Sequence, residues 1–252
     1  MTSALVLATV MASSLSATAA SQRPIHYESF EKDGAYYHCV VADLSESEVS
    51  AQAQLASRLT PPWHLIADTQ PAAAITGTFF AWENERPIAE VLIDGEVRNA
   101  GRRGSIVAVD WFGKVHIFDA KFGEIVDWFP YRWAIRGNVR VVKDGQVKPN
   151  PKAQRFTDPR IWGRAKRTAI GTRPDGTLVL MATPNAVTLG QLGWALVSRG
   201  VTNAVSLDGG GSTMLYYRGE MVIRTSRPLC NMFILHERSP FDSKFRALFN
   251  GQ

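Results

Sequence analysis

The chain has 252 residues, 45% hydrophobic and 20% charged, with a formal charge of +5. That balance suits one globular domain with a sizeable core. No stretch is long and apolar enough for a membrane span, no Cys or His cluster has zinc spacing, and no nucleic-acid-binding motif accompanies the basic excess. Membrane-inserted, zinc-structured and nucleic-acid-binding proteins are therefore set aside.

Residues 1–20 carry no charged side chain. A short apolar run, 5–11, precedes Ala17-Thr18-Ala19-Ala20, a small-residue cleavage pattern, although the start lacks Lys or Arg. This resembles a secretory signal peptide and implies an exported protein, periplasmic or extracellular, with residues 21–252 as a single domain. Residues 35–42 are aromatic and β-branched and predict a strand. Residues 45–59 are polar and alanine-rich; Ser45 and Glu48 fit a capping box, so a short helix is expected, stopped by Pro61-Pro62.

Residues 72–80 predict a buried strand running into a turn at Gly77, with the Thr76 and Thr78 hydroxyls on either side. The polar loop after it carries Glu83, Asn84, Glu85 and Arg86, and strand-end loops of this kind often hold ligand groups. Residues 88–93 and 96–97 predict a hairpin across Asp94-Gly95. Two further strands, 105–109 and 114–118, precede an aromatic segment containing Phe122, Trp128, Phe129, Tyr131 and Trp133. It is either core or a stacking platform for sugar rings.

Residues 139–142 and 147 flank Asp144-Gly145 as another hairpin. Residues 148–166 are polar and basic and predict an irregular loop, of a length that is often functional. Residues 167–172 and 177–181 pair around Asp175-Gly176. The clearest helix is 188–199: Thr188 and Gln191 fit the capping box, Leu189, Leu192 and Leu196 share a face, and Gly200 ends it. A strand at 203–207 leads to Asp208-Gly209-Gly210-Gly211-Ser212-Thr213 and a further strand, followed by strands at 221–224 and 230–235. The expected fold class is α+β: a hairpin-rich mixed or antiparallel sheet with one or two packed helices.

Three consecutive glycines bring no side chain and cost backbone entropy, so their use is steric. They permit a tight bend or close approach of a ligand to backbone N–H groups, and such N–H groups form anion-binding concavities. Asp208 is the one carboxylate of the segment, with the Ser212 and Thr213 hydroxyls across the turn. Read blandly, Asp208-Gly209 is hairpin chemistry, like the other Asp-Gly pairs. The two cysteines, Cys39 and Cys230, are either a disulfide or two buried thiols.

Taken in order, Ile75-Thr76-Gly77-Thr78-Phe79-Phe80, Arg167-Thr168-Ala169-Ile170-Gly171 and Leu207-Asp208-Gly209-Gly210-Gly211-Ser212-Thr213 resemble the phosphodiester glycosidase family. This is the family of the mannose-6-phosphate uncovering enzyme and its bacterial exopolysaccharide-related relatives. The helix at 188–189 and Arg227-Pro228 with Asn231 also fit, so the resemblance covers about residues 70–235. In the family the first motif usually begins with Asn, where this chain has Thr76.

The resemblance implies hydrolysis of a sugar 1-phosphodiester at its glycosidic bond, on a phosphodiester-linked carbohydrate. A phosphomonoester has a second pKa near ~6 and leaves without full protonation. An arginine stabilises its charge and a carboxylate serves the oxocarbenium-like centre. Asp208 and Arg167 are the candidate catalytic residues. Thr76, Gly77, Thr78, Gly209, Gly210, Gly211, Ser212 and Thr213 are the candidate substrate-binding residues. A second carboxylate would come from Glu83, Glu85, Glu90 or Asp110. Two other readings stand beside it: a polysaccharide-binding envelope protein without catalysis, motivated by Thr76 and the aromatic segment 122–133, and a metal-dependent phosphodiesterase, which Asp208 and the same turn would serve. The sequence itself requires no cofactor and leaves a divalent ion open.

Overall fold

A computed structural model describes residues 23–237. The leader-like residues 1–20 lie outside the described residues. Every strand pairing among the described residues is antiparallel. The mixed option is thereby narrowed, and the class is α+β with a mainly sheet core.

Two sheets carry the fold. The larger runs Ile25–Lys32, Ala35–Ala42, Leu178–Val187, Ala165–Thr172, Asn203–Ser206, Tyr131–Lys143, Val91–Ile93 and Glu96–Asn99, with Ser105–Asp110 paired along the first half of the long strand and Val115–Phe118 paired to Ser105–Asp110. The smaller runs Glu220–Ile223, Leu215–Tyr217, Ala73–Thr76, Leu229–Glu237 and Val49–Thr60. Period-two alternation sends successive side chains of each strand to opposite faces. Val40, Leu178, Leu180, Ile170 and Val205 face the smaller sheet and meet Ile75, Phe233 and Leu235 from it. Their neighbours Cys39, Val41, Val179, Met181, Ala169 and Ala204 face the helix Leu189–Val197 through Leu189, Leu192 and Leu196. The outer face of the smaller sheet, through Ala74, Met232 and Ile234, is covered by Leu65 and Ile66 of the helix Pro62–Thr69. The result is helix, sheet, sheet, helix, with apolar side chains filling each gap.

Local chemistry explains most turns. Asp33-Gly34, Asp94-Gly95 and Asp144-Gly145 each have positive φ at both residues, the backbone that two-residue hairpins need. The capping box at Thr188 and Gln191 is present in both directions. Residues 45–59 depart from expectation: Val49–Thr60 is a strand, not a helix. Val49, Ala51 and Ala53 are buried at period two and pair with Glu237, Leu235 and Phe233, so cross-strand packing overrides the helix preference of alanine. The prolines do not stop a helix there; they start one, with Pro62 at its first position and Gln70 closing it by an N–H bond to the Ile66 carbonyl at 2.7 Å.

The aromatic segment divides. Trp133 is buried between the sheets, and Trp128 and Tyr131 pack with Phe118, whereas Phe122 and Phe129 are exposed. Cys39 and Cys230 are both free and buried, so the disulfide is not formed. They belong to different sheets: Cys39 faces the helix side of the larger one, and Cys230 is on the last strand of the smaller.

Candidate active site

The site forms where the chain crosses from one of the stacked sheets to the other. The strand Asn203–Ser206 belongs to the larger sheet and the strand Leu215–Tyr217 to the smaller, so Asp208-Gly209-Gly210-Gly211 is a crossing between sheets and not a hairpin turn. Asp208 has no left-handed backbone, and Gly209 has φ −136. The crossing is stitched on both sides. The Asp208 N–H donates to the Gly77 carbonyl at 3.0 Å, and Thr168 Oγ1 donates to the Asp208 carbonyl at 2.5 Å. Gly209 is required by closeness, since a Cβ there would stand 2.5 Å from the Lys166 carbonyl oxygen.

The first motif docks against this crossing through Asn231. Its Oδ1 accepts from the Thr78 N–H at 2.7 Å and its Nδ2 donates to the Thr78 carbonyl at 3.2 Å. A Cβ on Gly77 would lie 1.8 Å from the same Oδ1, so only glycine fits. Thr76 is buried and donates its hydroxyl to the Ser212 carbonyl at 2.5 Å. It therefore ties the motif to the glycine turn, with its hydroxyl proton engaged there. The Thr78 and Thr213 hydroxyls are different: both are buried and without a hydrogen-bond partner.

Residues 210–212 form a single 3-10 turn closed by Ser212 N–H to the Gly209 carbonyl (3.0 Å) and Thr213 N–H to the Gly210 carbonyl (3.2 Å). The Gly209 N–H donates to Asp208 Oδ1 at 2.8 Å. Among the described residues, the Gly210 and Gly211 amides donate to no protein acceptor. Of the three glycine amides, two are thus free for an anion.

Asp208 is buried, and burial pushes its carboxyl above the usual carboxylate range. The Ser212 hydroxyl, the Arg227 guanidinium, the Gly209 N–H and the Arg160 charge act in the opposite direction without reversing it. Arg227 is the arginine beside it. Its Nη2 lies 3.8 Å from Asp208 Oδ2, its Nε donates to Ser212 Oγ at 2.7 Å, and Nη2 donates to the Gly209 carbonyl at 3.2 Å. The guanidinium also sits 5.6 Å from the Phe80 ring and 5.7 Å from the Trp82 ring, and Trp82 is exposed. The aromatic surface next to the carboxylate is therefore Phe80 and Trp82, not the segment around Trp128 and Trp133.

Arg167 is placed otherwise than expected. It is buried and donates from Nε to the Val187 carbonyl at 3.3 Å. Nη2 donates to the carbonyls of Arg160, Ile161 and Gly163 at 3.4, 3.0 and 2.5 Å. Burial pulls its pKa down to about 10, and no ion pair joins it to Asp208. Its backbone borders Gly209, but its charge holds the 160–163 segment in place. Sequence reasoning passed over Arg227 and Asn231 as site residues, although both belong to the pattern that carried the family resemblance.

None of the four further carboxylates is hydrogen-bonded to Asp208. Glu90 is buried against Arg136 at 2.7 Å. Asp110 accepts from the Phe112 and Lys114 amides and pairs with His116, and Glu85 accepts from the Leu59 amide. Glu83 is exposed. Among the described residues, no three His, Cys, Asp or Glu side chains gather in one place. Asp208 and neighbouring hydroxyls would be the whole donor set for a cation.

A family model described as phosphodiester glycosidase matches residues 69–238. The chain is similar in fold to the catalytic domain of zebrafish N-acetylglucosamine-1-phosphodiester alpha-N-acetylglucosaminidase, auto-inhibited by its pro-peptide, with TM-score 0.74 and 18% identity over 87% of this chain and 85% of that one. A hypothetical protein from Synechocystis gives TM-score 0.64 and 14% identity over 85% and 62% of the two chains. A putative exported protein from Burkholderia pseudomallei gives 0.56 and 14% over 80% and 74%. Among curated proteins none matches.

Proposed function

The chain belongs to the phosphodiester glycosidase family, and from that premise we propose that it hydrolyses the glycosidic bond of a sugar 1-phosphodiester in an envelope or extracellular glycan. The observation that carries this reading is the buried Asp208 beside Arg227, with the free Gly210 and Gly211 amides on the same turn.

The phosphate of the substrate lies against the Arg227 guanidinium and the two amides. Charge develops on its bridging oxygen as the bond from the sugar C1 breaks, and these donors are aimed at that charge. The leaving phosphomonoester needs little protonation, because its second pKa is near ~6. Asp208, as carboxylate, takes the proton of the attacking water, whose oxygen bonds to C1. The electron pair of the broken bond stays with the phosphate. A raised pKa makes Asp208 a better proton acceptor once ionised. Trp82 and Phe80 offer a ring face to the sugar. Thr78 and Thr213, each with a buried unpartnered hydroxyl, hold substrate oxygens. Arg167 supports the turn from behind.

The reading of residues 21–252 as one domain is supported, over residues 23–237, by the apolar cluster shared between the two sheets. Export rests on the leader-like residues 1–20. No helix of the described residues is long and apolar enough to cross a membrane.

Hydrolysis in oxygen-labelled water tests the bond assignment. Label at the anomeric hydroxyl is expected. Label in the phosphate would instead assign attack at phosphorus, and glycan binding without any product would leave only a binding protein.

A further inference from the structure

The basic stretch 148–166 takes little part in the site just described, yet one of its arginines is carefully placed. Arg155 and Arg103, distant in sequence, both bring the guanidinium carbon to 5.6 Å from the centroid of the same ring, Phe122. Arg103 also lies 5.9 Å from the Phe156 ring, and Phe156 is 5.5 Å from Phe79 of the first motif. Phe156 is buried, so the arginine pair is packed onto the first motif through the interior.

The pair is fixed from behind. Gln154 donates to Ser105 Oγ at 2.6 Å and accepts from the Arg140 amide at 3.0 Å. The Gly123 N–H donates to the Arg102 carbonyl at 2.9 Å and sets Phe122 beside Arg103. Arg155 has φ +62, a left-handed backbone that a residue with a side chain adopts at a cost. The nearby acids are engaged elsewhere: Glu124 accepts from the Lys121 amide, and Asp158 pairs with Arg160. Among the described residues, neither Arg103 nor Arg155 has a carboxylate partner. Two like charges beside one exposed ring, neither of them in an ion pair among the described residues, suit an oxyanion that arrives with the ligand.

Resting on the hydrolytic reading above, we propose that Arg103 and Arg155 bind a second phosphate of the substrate, the one in the neighbouring repeat of a phosphodiester-linked sugar polymer, while Asp208 and Arg227 act on the scissile one. The preferred substrate is then polymeric and polyanionic.

The test compares a monomeric sugar 1-phosphodiester having an uncharged aglycone with an oligomer carrying several phosphodiesters. In the double variant Arg103→Gln/Arg155→Gln, KM for the oligomer is expected to rise roughly tenfold with kcat unchanged, while both constants for the monomer stay as they were. Should the double variant fail to fold, Arg155→Gln alone, on an exposed turn, gives the same split at about threefold. Equal KM changes on both substrates, or none on either with only a lower melting temperature, would make the pair a structural clamp and overturn the proposal. An oligomer with uronate carboxylates in place of phosphates, bound equally well, would overturn the assignment to phosphate.

Calorimetry with the Asp208→Asn protein separates this from the hydrolytic reading. If the native protein turns over no substrate, yet the phosphodiester oligomer binds the Asp208→Asn protein and loses affinity once the arginine substitutions are added, the second site stands and the hydrolysis falls. If both substrates turn over and the variant changes neither, the reverse holds.

Discussion

Arg167 and Arg227 both border the glycine turn, and they differ in what their guanidinium groups face. Arg167 is buried and meets only backbone carbonyls, of Arg160, Ile161, Gly163 and Val187. Arg227 is partly exposed and meets a hydroxyl, one carbonyl and the edge of a carboxylate, with two aromatic rings beside it. A cation enclosed by carbonyls braces a loop. One that keeps exposed donors and an acid neighbour is available to an incoming phosphate. Proximity in the fold is common to both; only the remaining donor capacity separates them.

The largest expected effect lies at the acid itself. Asp208→Asn should lower turnover by roughly 10²–10⁴-fold, as expected for loss of a general base. Native activity should rise with pH through a value above the usual carboxylate range, because the base acts ionised and burial raises its pKa. The linked stability effect has the opposite sign. The folded pKa exceeds the unfolded one, so the folded state holds the proton longer and stability falls as pH rises between the two values. Asn keeps the neutral shape, so at pH 7 urea unfolding should show the variant as stable as the native protein or more so.

Arg227→Gln comes next, with turnover down about 10²–10³-fold and a fall in the urea midpoint smaller than that of Arg167→Gln, since Arg227 is partly exposed and gives up fewer hydrogen bonds. Arg167→Gln should show the converse: a stability loss of about 2–3 kcal/mol from orphaned carbonyls, and a smaller change in turnover. If Arg167→Gln abolished activity while leaving the urea midpoint alone, the distinction between the two arginines would collapse. The smallest effect is at Thr76→Val, which strands the buried Ser212 carbonyl. It should cost about 1 kcal/mol in thermal unfolding, with KM little altered.

Much of the fold was legible because its signals are local. Asp33-Gly34, Asp94-Gly95 and Asp144-Gly145 state their turn geometry in two residues, and the Thr188 capping box states where a helix begins. Asp208-Gly209 shows the same dipeptide in a different backbone, and the glycines after it were the clue that it is no hairpin. What stayed hidden depends on distant partners. Alanines at 51 and 53 become strand residues only because Phe233 and Leu235 lie opposite them. The end of a long side chain is equally unreadable: Arg167 sits in the familiar motif, yet its guanidinium turns toward the 160–163 backbone, and Arg227, which fits the family pattern without a role legible in the sequence, is the one that reaches Asp208. Export would have allowed Cys39 and Cys230 to pair, but they lie in different sheets and both are free.

The hydrogen bond from Asp208 to Gly77, and the grip of Asn231 on Thr78, have a temporal consequence. The strand Leu229–Glu237 sits in the middle of the smaller sheet, between Ala73–Thr76 and Val49–Thr60. During synthesis the early motif must wait, without its neighbour, until nearly the whole described chain has emerged. Such non-local closure is slow, and it makes catalytic competence a property of the completed polypeptide: a nascent or truncated chain lacking that strand would be inert.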